Sequence, residues 1–353
     1  MTSSDHGTPS GIPSGPIRAF VVERQGDGLS AGVRELHAAD LPDQPVTVRV
    51  EWSSVNYKDG MVATPGNRVA RTSPLVPGVD LVGTVVDVAG GGGGGGGGTA
   101  PVAVGDDVVV HGYGLGISQH GAFAQFARVP AAWVVPLPRG LSARRAALIG
   151  TAGFTAALSL ARLERMGLAP GSGPVLVTGA SGGVGSLSVA LLAARGYEVV
   201  ASTGKAAERE YLVGLGARDV IGRDDLQEAS DRVLGTERWA GAVDCVGGAT
   251  LRGVLRSLRY GAAVAASGLT GGASFDTTVY PFIVRGVSLL GIDSVETPID
   301  ERRSVWHELA TAFPPETLDA TVAGEIGLDG LSDALATISR GEVRGRILVR
   351  PWS

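Results

Sequence analysis

Cysteine is almost missing from this chain: Cys245 is the only one in 353 residues. That excludes an internal disulfide, and a lone thiol without cysteine or histidine neighbours argues against a structural zinc site. Within the apolar run GAVDCV it reads as a core residue. Lysine is nearly missing too, since of 30 basic residues only Lys58 and Lys205 are not arginine. The net charge of −5 shows no basic excess, so no nucleic-acid partner is expected. No unbroken apolar run approaches the roughly 18 residues of a membrane span, and the opening MTSSDHGTPSGIPSGPIR has no apolar core of signal-peptide length. These absences leave a cytoplasmic enzyme acting on small molecules, with no membrane partner and a flexible tail over residues 1–16, as the expectation.

What is present is enough chain for two cores. From residue 17 to about 140, short β-branched runs alternate with turns: IRAFVVE, VTVRVEWSSV, LVGTVVDV, DDVVVHG, FAQFARV and WVVPLP. That spacing predicts a barrel-like or sandwich β domain. The stretch LSARRAALIGTAGFTAALSLARLERMG then carries an apolar stripe at helical spacing behind Ser142, a residue suited to an N-cap, and predicts linking helices. After it, strands and helices alternate over about 120 residues, which predicts a doubly wound parallel sheet. The final GRILVRP returns most simply to the β domain. The nine glycines from Gly90 to Gly98 lead into another strand rather than a helix N-terminus, so they are expected to form a hairpin extension and not a phosphate cradle.

In VLVTGASGGVGSLSVALL, Ala180, Gly182 and Gly185 stand at the three positions of a G-x-G-x-x-G turn between a strand and a helix. Such a turn lets the backbone approach a pyrophosphate and aims free N–H groups at it. About twenty residues on, an NAD-binding chain would carry a carboxylate for the ribose hydroxyls. Here stand Ser202, Thr203, Gly204 and Lys205, which donate to a 2′-phosphate instead, and Arg223 of IGRDD can close that pocket. The cofactor read from these residues is NADPH; an ordinary polar strand end in an NAD enzyme is the other reading. A short-chain dehydrogenase would need a tyrosine with a lysine four residues on, and no tyrosine here has one.

The ordered segments SSVNYKDG, PLVPGVDLVGTV, IGTAGFTAALSLARLE, VTGASGGVGS, YLVGLGARDVI, RWAGAVDCVGG, TTVYPFIVRGVSLLGIDSV and GRILV resemble the medium-chain dehydrogenase/reductase superfamily. Within it they resemble the zinc-free quinone oxidoreductase-like group and the acryloyl-CoA reductases, over nearly all of residues 17–351. The resemblance implies an α/β architecture: a GroES-like β-barrel catalytic domain from residues 17–140 and 295–353, and a Rossmann NADPH-binding domain from 141–294. Zinc-dependent relatives carry a cysteine in the segment here reading SSVNYKDG, and a histidine and glutamate in the one reading PGVDLVG. This chain has Asn56 and Tyr57 in the first, Val79 and Asp80 in the second, and its five histidines form no spaced cluster, so no metal is expected.

The implied chemistry is metal-free hydride addition to the β-carbon of an α,β-unsaturated acyl-CoA, acryloyl-CoA above all, with protonation at the α-carbon. Quinone or alkenal reduction and a non-catalytic NADPH-binding role stay open. Tyr57 is the candidate donor to the enolate, or only a wall of the nicotinamide pocket; Asn56 is a candidate oxyanion donor, and Asp59 orients their loop or pairs with Lys58. Arg68 and Arg71 are candidates for the CoA phosphates. Carried over by the resemblance, the pyrophosphate meets Ser181, Gly182, Gly183 and Val184, and the adenosine end meets Thr203, Gly204, Lys205 and Arg223. The nicotinamide side meets Tyr57, Leu269, Ile283 and Ser294, while a contact expected near GEVRGR finds no clear polar equivalent at Glu342 or Val343. Leu269 and Ile283 fit a plain core equally well. A homodimer built on the edge strand VSLLGI is expected.

Overall fold

The computed structural model describes residue 11 and residues 14–353, apart from 27, 67, 90–101 and 227–232. Most of the expected tail and the whole polyglycine tract therefore lie outside the described residues. Among these residues the strands form three sheets. Six parallel strands run in the order Asp219–Gly222, Val199–Thr203, Val175–Thr178, Gly241–Asp244, Ala263–Ala266 and Ser288–Gly291. Val175, Leu176 and Val177 are fully buried, as strands covered by helices on both faces require. The chain starts this sheet in the middle and reverses direction between Val175–Thr178 and Gly241–Asp244. A crevice outside the carboxyl ends of those strands is where such sheets bind ligands.

The second large sheet joins Val322–Ile326, Arg346–Val349, Val46–Ser54, Asp80–Val88, Asp107–His111 and Val135–Pro136, with Phe126–Val129 also paired to Val46–Ser54. In Val46–Ser54 the alternation follows the pleat: Val46, Val48 and Val50 are buried, Arg49 and Glu51 half-exposed. The C-terminal Arg346–Val349 does return to this sheet, antiparallel to Val46–Ser54. Ile17–Gln25 and Gly28–Leu36 make an antiparallel pair beside it. Gly28–Leu36 and Val322–Ile326 escape sequence reading because neither carries a fully buried residue; both strands contain only half-exposed and exposed residues.

The helix Ala143–Arg165 begins at Ser142, whose hydroxyl accepts from Arg145 N. It breaks at Gly150, with φ 46° and ψ −156°. A Cβ there would fall 2.3 Å from the Asp80 carboxylate, so only glycine fits. The helix is long and apolar, yet its most apolar stretch is 78% buried within the protein. It joins one hydrophobic core that runs from Val82, Val109 and Val135 of the second sheet to Val175, Val177 and Val243 of the parallel sheet. At the outer edge of the parallel sheet, Ser288–Gly291 and the helix Tyr280–Arg285 leave Tyr280, Ile283, Val284 and Leu289 exposed.

Candidate cofactor cleft and active site

The strand Val175–Thr178 ends in Gly179, at φ 59°, and the helix Gly183–Ala194 starts behind Gly182. A Cβ on Gly185 would sit 2.2 Å from Gly179 O and 2.7 Å from Ala180 Cα, so glycine is what lets the helix close over the turn. The first helical bond is Ser186 N to Gly182 O, 2.8 Å, which leaves the N–H groups of Gly183, Val184 and Gly185 without a helical acceptor. No side chain caps this end. Twelve residues of aligned peptide dipoles behind an uncapped glycine turn suit an anion. The floor is fixed from the neighbouring strand: Thr178 Oγ1 donates to Asp244 Oδ1 at 2.6 Å, and Gly247 N donates to Asp244 Oδ2 at 2.8 Å.

At the end of Val199–Thr203, Thr203 Oγ1 lies 3.0 Å from Ser181 Oγ and accepts from Lys205 N at 3.1 Å. The Arg223 guanidinium lies over Gly204, 3.1 Å from where a Cβ would be. Burial lowers the Lys205 pKa, against Glu208 and Glu342, which raise it. Its ammonium donates to Val343 O at 3.0 Å. Gly345 N holds the same loop to Ser181 O at 2.9 Å. Ser202 corrects the expectation. Only 2% exposed, its hydroxyl donates to Gly222 O at 3.4 Å, whereas Thr203, on the opposite face of the strand, meets Ser181. The remaining pair, Lys205 and Arg223 flanking Gly204, fits a phosphate beyond the pyrophosphate.

On the facing wall, Asn56 caps the helix Tyr57–Val62. Asp59 is fully buried, and its carboxylate accepts from Asn56 N (2.8 Å), Gly78 N (3.1 Å) and Val79 N (3.2 Å). It braces two loops rather than pairing with Lys58, which is exposed. Burial pushes its pKa up to about 7 despite the three amide donors. Asn56 is the second correction. Its Nδ2 donates to Asp80 Oδ2 at 2.8 Å and Ser54 O at 3.2 Å, so both amide protons are engaged and none is left for an oxyanion. Tyr57 is half-buried, and among the described residues nothing takes its hydroxyl.

Behind Asn56 lies a network the sequence did not disclose. Asp80 Oδ1 accepts from Thr151 N (2.8 Å) and Oγ1 (2.6 Å); Oδ2 accepts from Ser54 Oγ (2.5 Å) and from Arg346 Nη2 (3.2 Å). Arg346 Nη1 also reaches Asn56 Oδ1 at 3.0 Å, and Nε reaches Leu148 O at 3.1 Å. Burial pushes the Asp80 carboxyl up, but Arg346 and the Ser54 and Thr151 hydroxyls outweigh it and hold the group below the usual carboxylate range. Arg346 also underlies the glycine turn, 3.2 Å from where a Gly183 Cβ would be. One buried ion pair therefore ties the Tyr57 loop to the anion-binding turn. Among the described residues no three His, Cys, Asp or Glu side chains come together as a metal site.

Residues 42–139 match the alcohol dehydrogenase GroES-like domain and residues 183–311 match the family described as zinc-binding dehydrogenase. Acrylyl-CoA reductase AcuI of Ruegeria pomeroyi is 46% identical over 94% of this chain and 98% of its own length. The yhdH oxidoreductase of Salmonella enterica, solved with NADP, superposes with a TM-score of 0.88 at 41% identity, covering 94% of this chain and 99% of that one. Bacillus subtilis yhfP, solved with NAD, gives 0.90 at 44% identity, covering 96% and 100%. The chain belongs to the medium-chain dehydrogenase/reductase superfamily. It is an oxidoreductase of the acrylyl-CoA reductase and quinone oxidoreductase-like group.

In this oxidoreductase Leu269 and Ile283 are 48% and 72% exposed, so the plain-core reading of both is wrong. Ser294 is half-buried and sits in the segment that follows the edge strand Ser288–Gly291. Arg68 and Arg71 are both exposed on the loop after the Tyr57–Val62 helix, where Arg71 N is held by Ile117 O at 2.9 Å.

Proposed function

We propose that this chain uses NADPH to reduce the carbon–carbon double bond of an α,β-unsaturated acyl-CoA, with acryloyl-CoA as the reference substrate. The observation that carries the cofactor is Lys205 and Arg223 flanking Gly204 at the strand end, in place of a ribose-binding carboxylate. The glycine turn and Ser181, Gly182, Gly183 and Val184 hold the pyrophosphate in this reading. The acyl-CoA substrate is supported by the 46% and 42% identical relatives named as acrylyl-CoA reductases. When bound, NADPH supplies a hydride to the β-carbon of the substrate.

The chain's own residues bind, position and handle the proton. Charge that develops on the thioester oxygen is delocalised by the substrate itself. The Tyr57 hydroxyl, half-buried and without a protein partner, donates the hydrogen bond or proton that the enolate needs. Asn56 and Asp59 fix its loop from behind. Arg68 and Arg71 reach the CoA phosphates from the rim, and Leu269, Ile283 and Ser294 line the nicotinamide side. The reading includes a catalytic domain of residues 17–140 and 295–353, a cofactor domain of 141–294, a cytoplasmic location and a homodimer. The exposed apolar side chains beside Ser288–Gly291 support the dimer.

A second reading, quinone reduction, is favoured by the name of the Bacillus subtilis relative. Oxidation of NADPH followed with acryloyl-CoA, crotonyl-CoA, a benzoquinone and a free enal separates the two. The proposal expects the highest kcat/KM for acryloyl-CoA; an equal or higher value for the quinone or enal refutes it. NADPH binding with no turnover of any of the four would point to the non-catalytic role.

A further inference from the structure

Arg302, on the helix Ile299–Ala312, is completely buried, and among the described residues it forms no ion pair, Glu296 and Asp293 acting on it only from a distance. Its guanidinium instead gathers carbonyls: Nη1 donates to His111 O at 2.9 Å, and Nη2 to Ser294 O (3.2 Å), Val295 O (3.0 Å) and Thr297 O (3.4 Å). The rings of Tyr113 and Phe154 flank it, with centroids 4.5 and 5.1 Å away. His111 beside it stays neutral, pushed down to about 3 by burial and then by Arg302, and accepts from Trp306 Nε1 at 2.8 Å. Three of the four carbonyls belong to residues 294–297. A charge buried among carbonyls is a costly way to close a turn, and a neutral side chain would lack the fork that reaches all four.

The opposite side of the clamp comes from the other wall of the cleft. Tyr113, a non-glycine residue at φ 52°, donates its N–H to Val295 O at 2.9 Å and its hydroxyl to Thr297 O at 3.1 Å. A Cβ on Gly112 would lie 2.8 Å from Val295 O, so that wall approaches the segment as closely as glycine permits. His111 is the ladder partner of Asp80, which holds Asn56 beside Tyr57. The segment that contains Ser294 is therefore fixed to the same strands that carry the Tyr57 loop.

We infer that Arg302 is a positioning residue for the nicotinamide end of the dinucleotide, ordering the backbone of 294–297 before the cofactor arrives. The inference rests on the NADPH reading above. Ordering in advance removes an entropic cost from binding, and only from binding of the part that touches the segment. Adenosine 2′,5′-bisphosphate, which has no nicotinamide, is the probe that separates this role from general damage.

Binding of NADPH by fluorescence and of the bisphosphate by calorimetry is measured for the wild type, Arg302→Met, Arg302→Lys and Tyr113→Phe. The expected result is bisphosphate affinity within twofold of wild type throughout. NADPH affinity falls about tenfold in Arg302→Met, less in Arg302→Lys, and about threefold in Tyr113→Phe. Parallel loss of both ligands, or unchanged NADPH affinity, overturns the assignment. If Arg302→Met does not fold, Arg302→Lys and Tyr113→Phe decide on the same criteria. A wild type that binds neither ligand overturns the dinucleotide reading itself, a result distinct from the others.

Discussion

The proposed reading puts the cofactor choice on Lys205, and the relatives make the choice a real one, since one was solved with NADP and another with NAD. Consider Lys205→Ala. A hydrogen bond assisted by a full charge contributes about 1.5–3 kcal/mol, and a neutral one about 1 kcal/mol. The ammonium already donates to Val343 O at 3.0 Å, so taking a phosphate exchanges one bond for a stronger one. The net is about 0.5–2 kcal/mol, or roughly a 2- to 30-fold fall in the preference for NADPH over NADH. Arg223 remains over Gly204 and keeps part of the preference.

Lys205→Glu adds a repulsion. For charges about 4 Å apart that is about 1 kcal/mol in water and about 4 kcal/mol in a protein-like medium, which lowers the ratio by at least a further fivefold or so. The assay is kcat/KM for each cofactor with one acceptor held fixed, alongside a urea titration. Stability should fall by about 0.5–1.5 kcal/mol, because both variants lose the hydrogen bond from Lys205 to Val343 O. A ratio that moves less than about twofold in both variants refutes the phosphate site.

Arg346→Met strands the Asp80 carboxylate in the core and should lower the unfolding free energy in urea by about 3–5 kcal/mol; a loss under about 1 kcal/mol refutes the network as drawn. Gly185→Ala forces a Cβ to within 2.2 Å of Gly179 O, so the turn must move; about 1–3 kcal/mol of stability and much of the NADPH affinity go with it, read by calorimetry. Tyr57→Phe should slow turnover with NADPH affinity unchanged, and an unaltered rate and product would remove the donor role. Asp59 has its folded pKa raised from 3.8 to about 7, so its contribution is full below pH 3.8 and is lost as pH rises through 7, up to about 4 kcal/mol. Asp59→Asn should flatten that part of the pH profile of urea unfolding, and an identical slope in the variant contradicts the assignment.

The readable parts of this chain are those whose chemistry is local. Val175–Thr178, the glycine turn and the helix behind it are contiguous, so the residues that shape the turn are read from one short stretch. Thr203, Gly204 and Lys205 follow a strand end for the same reason, and Lys205 stands out because only one other lysine exists. Ser202 was misread because a list of polar letters does not say which face each side chain takes. The Asp80–Arg346 pair spans 266 residues, and Arg302 meets His111 across 191, so neither pair leaves a spacing to read. Composition hides them further. With arginine filling nearly every basic position, a buried arginine that organises the cleft looks the same in sequence as a solvated one. Only the closure of the two walls on each other tells them apart, and that closure depends on Gly150, Gly112 and Gly185, whose roles lie in the atoms they lack.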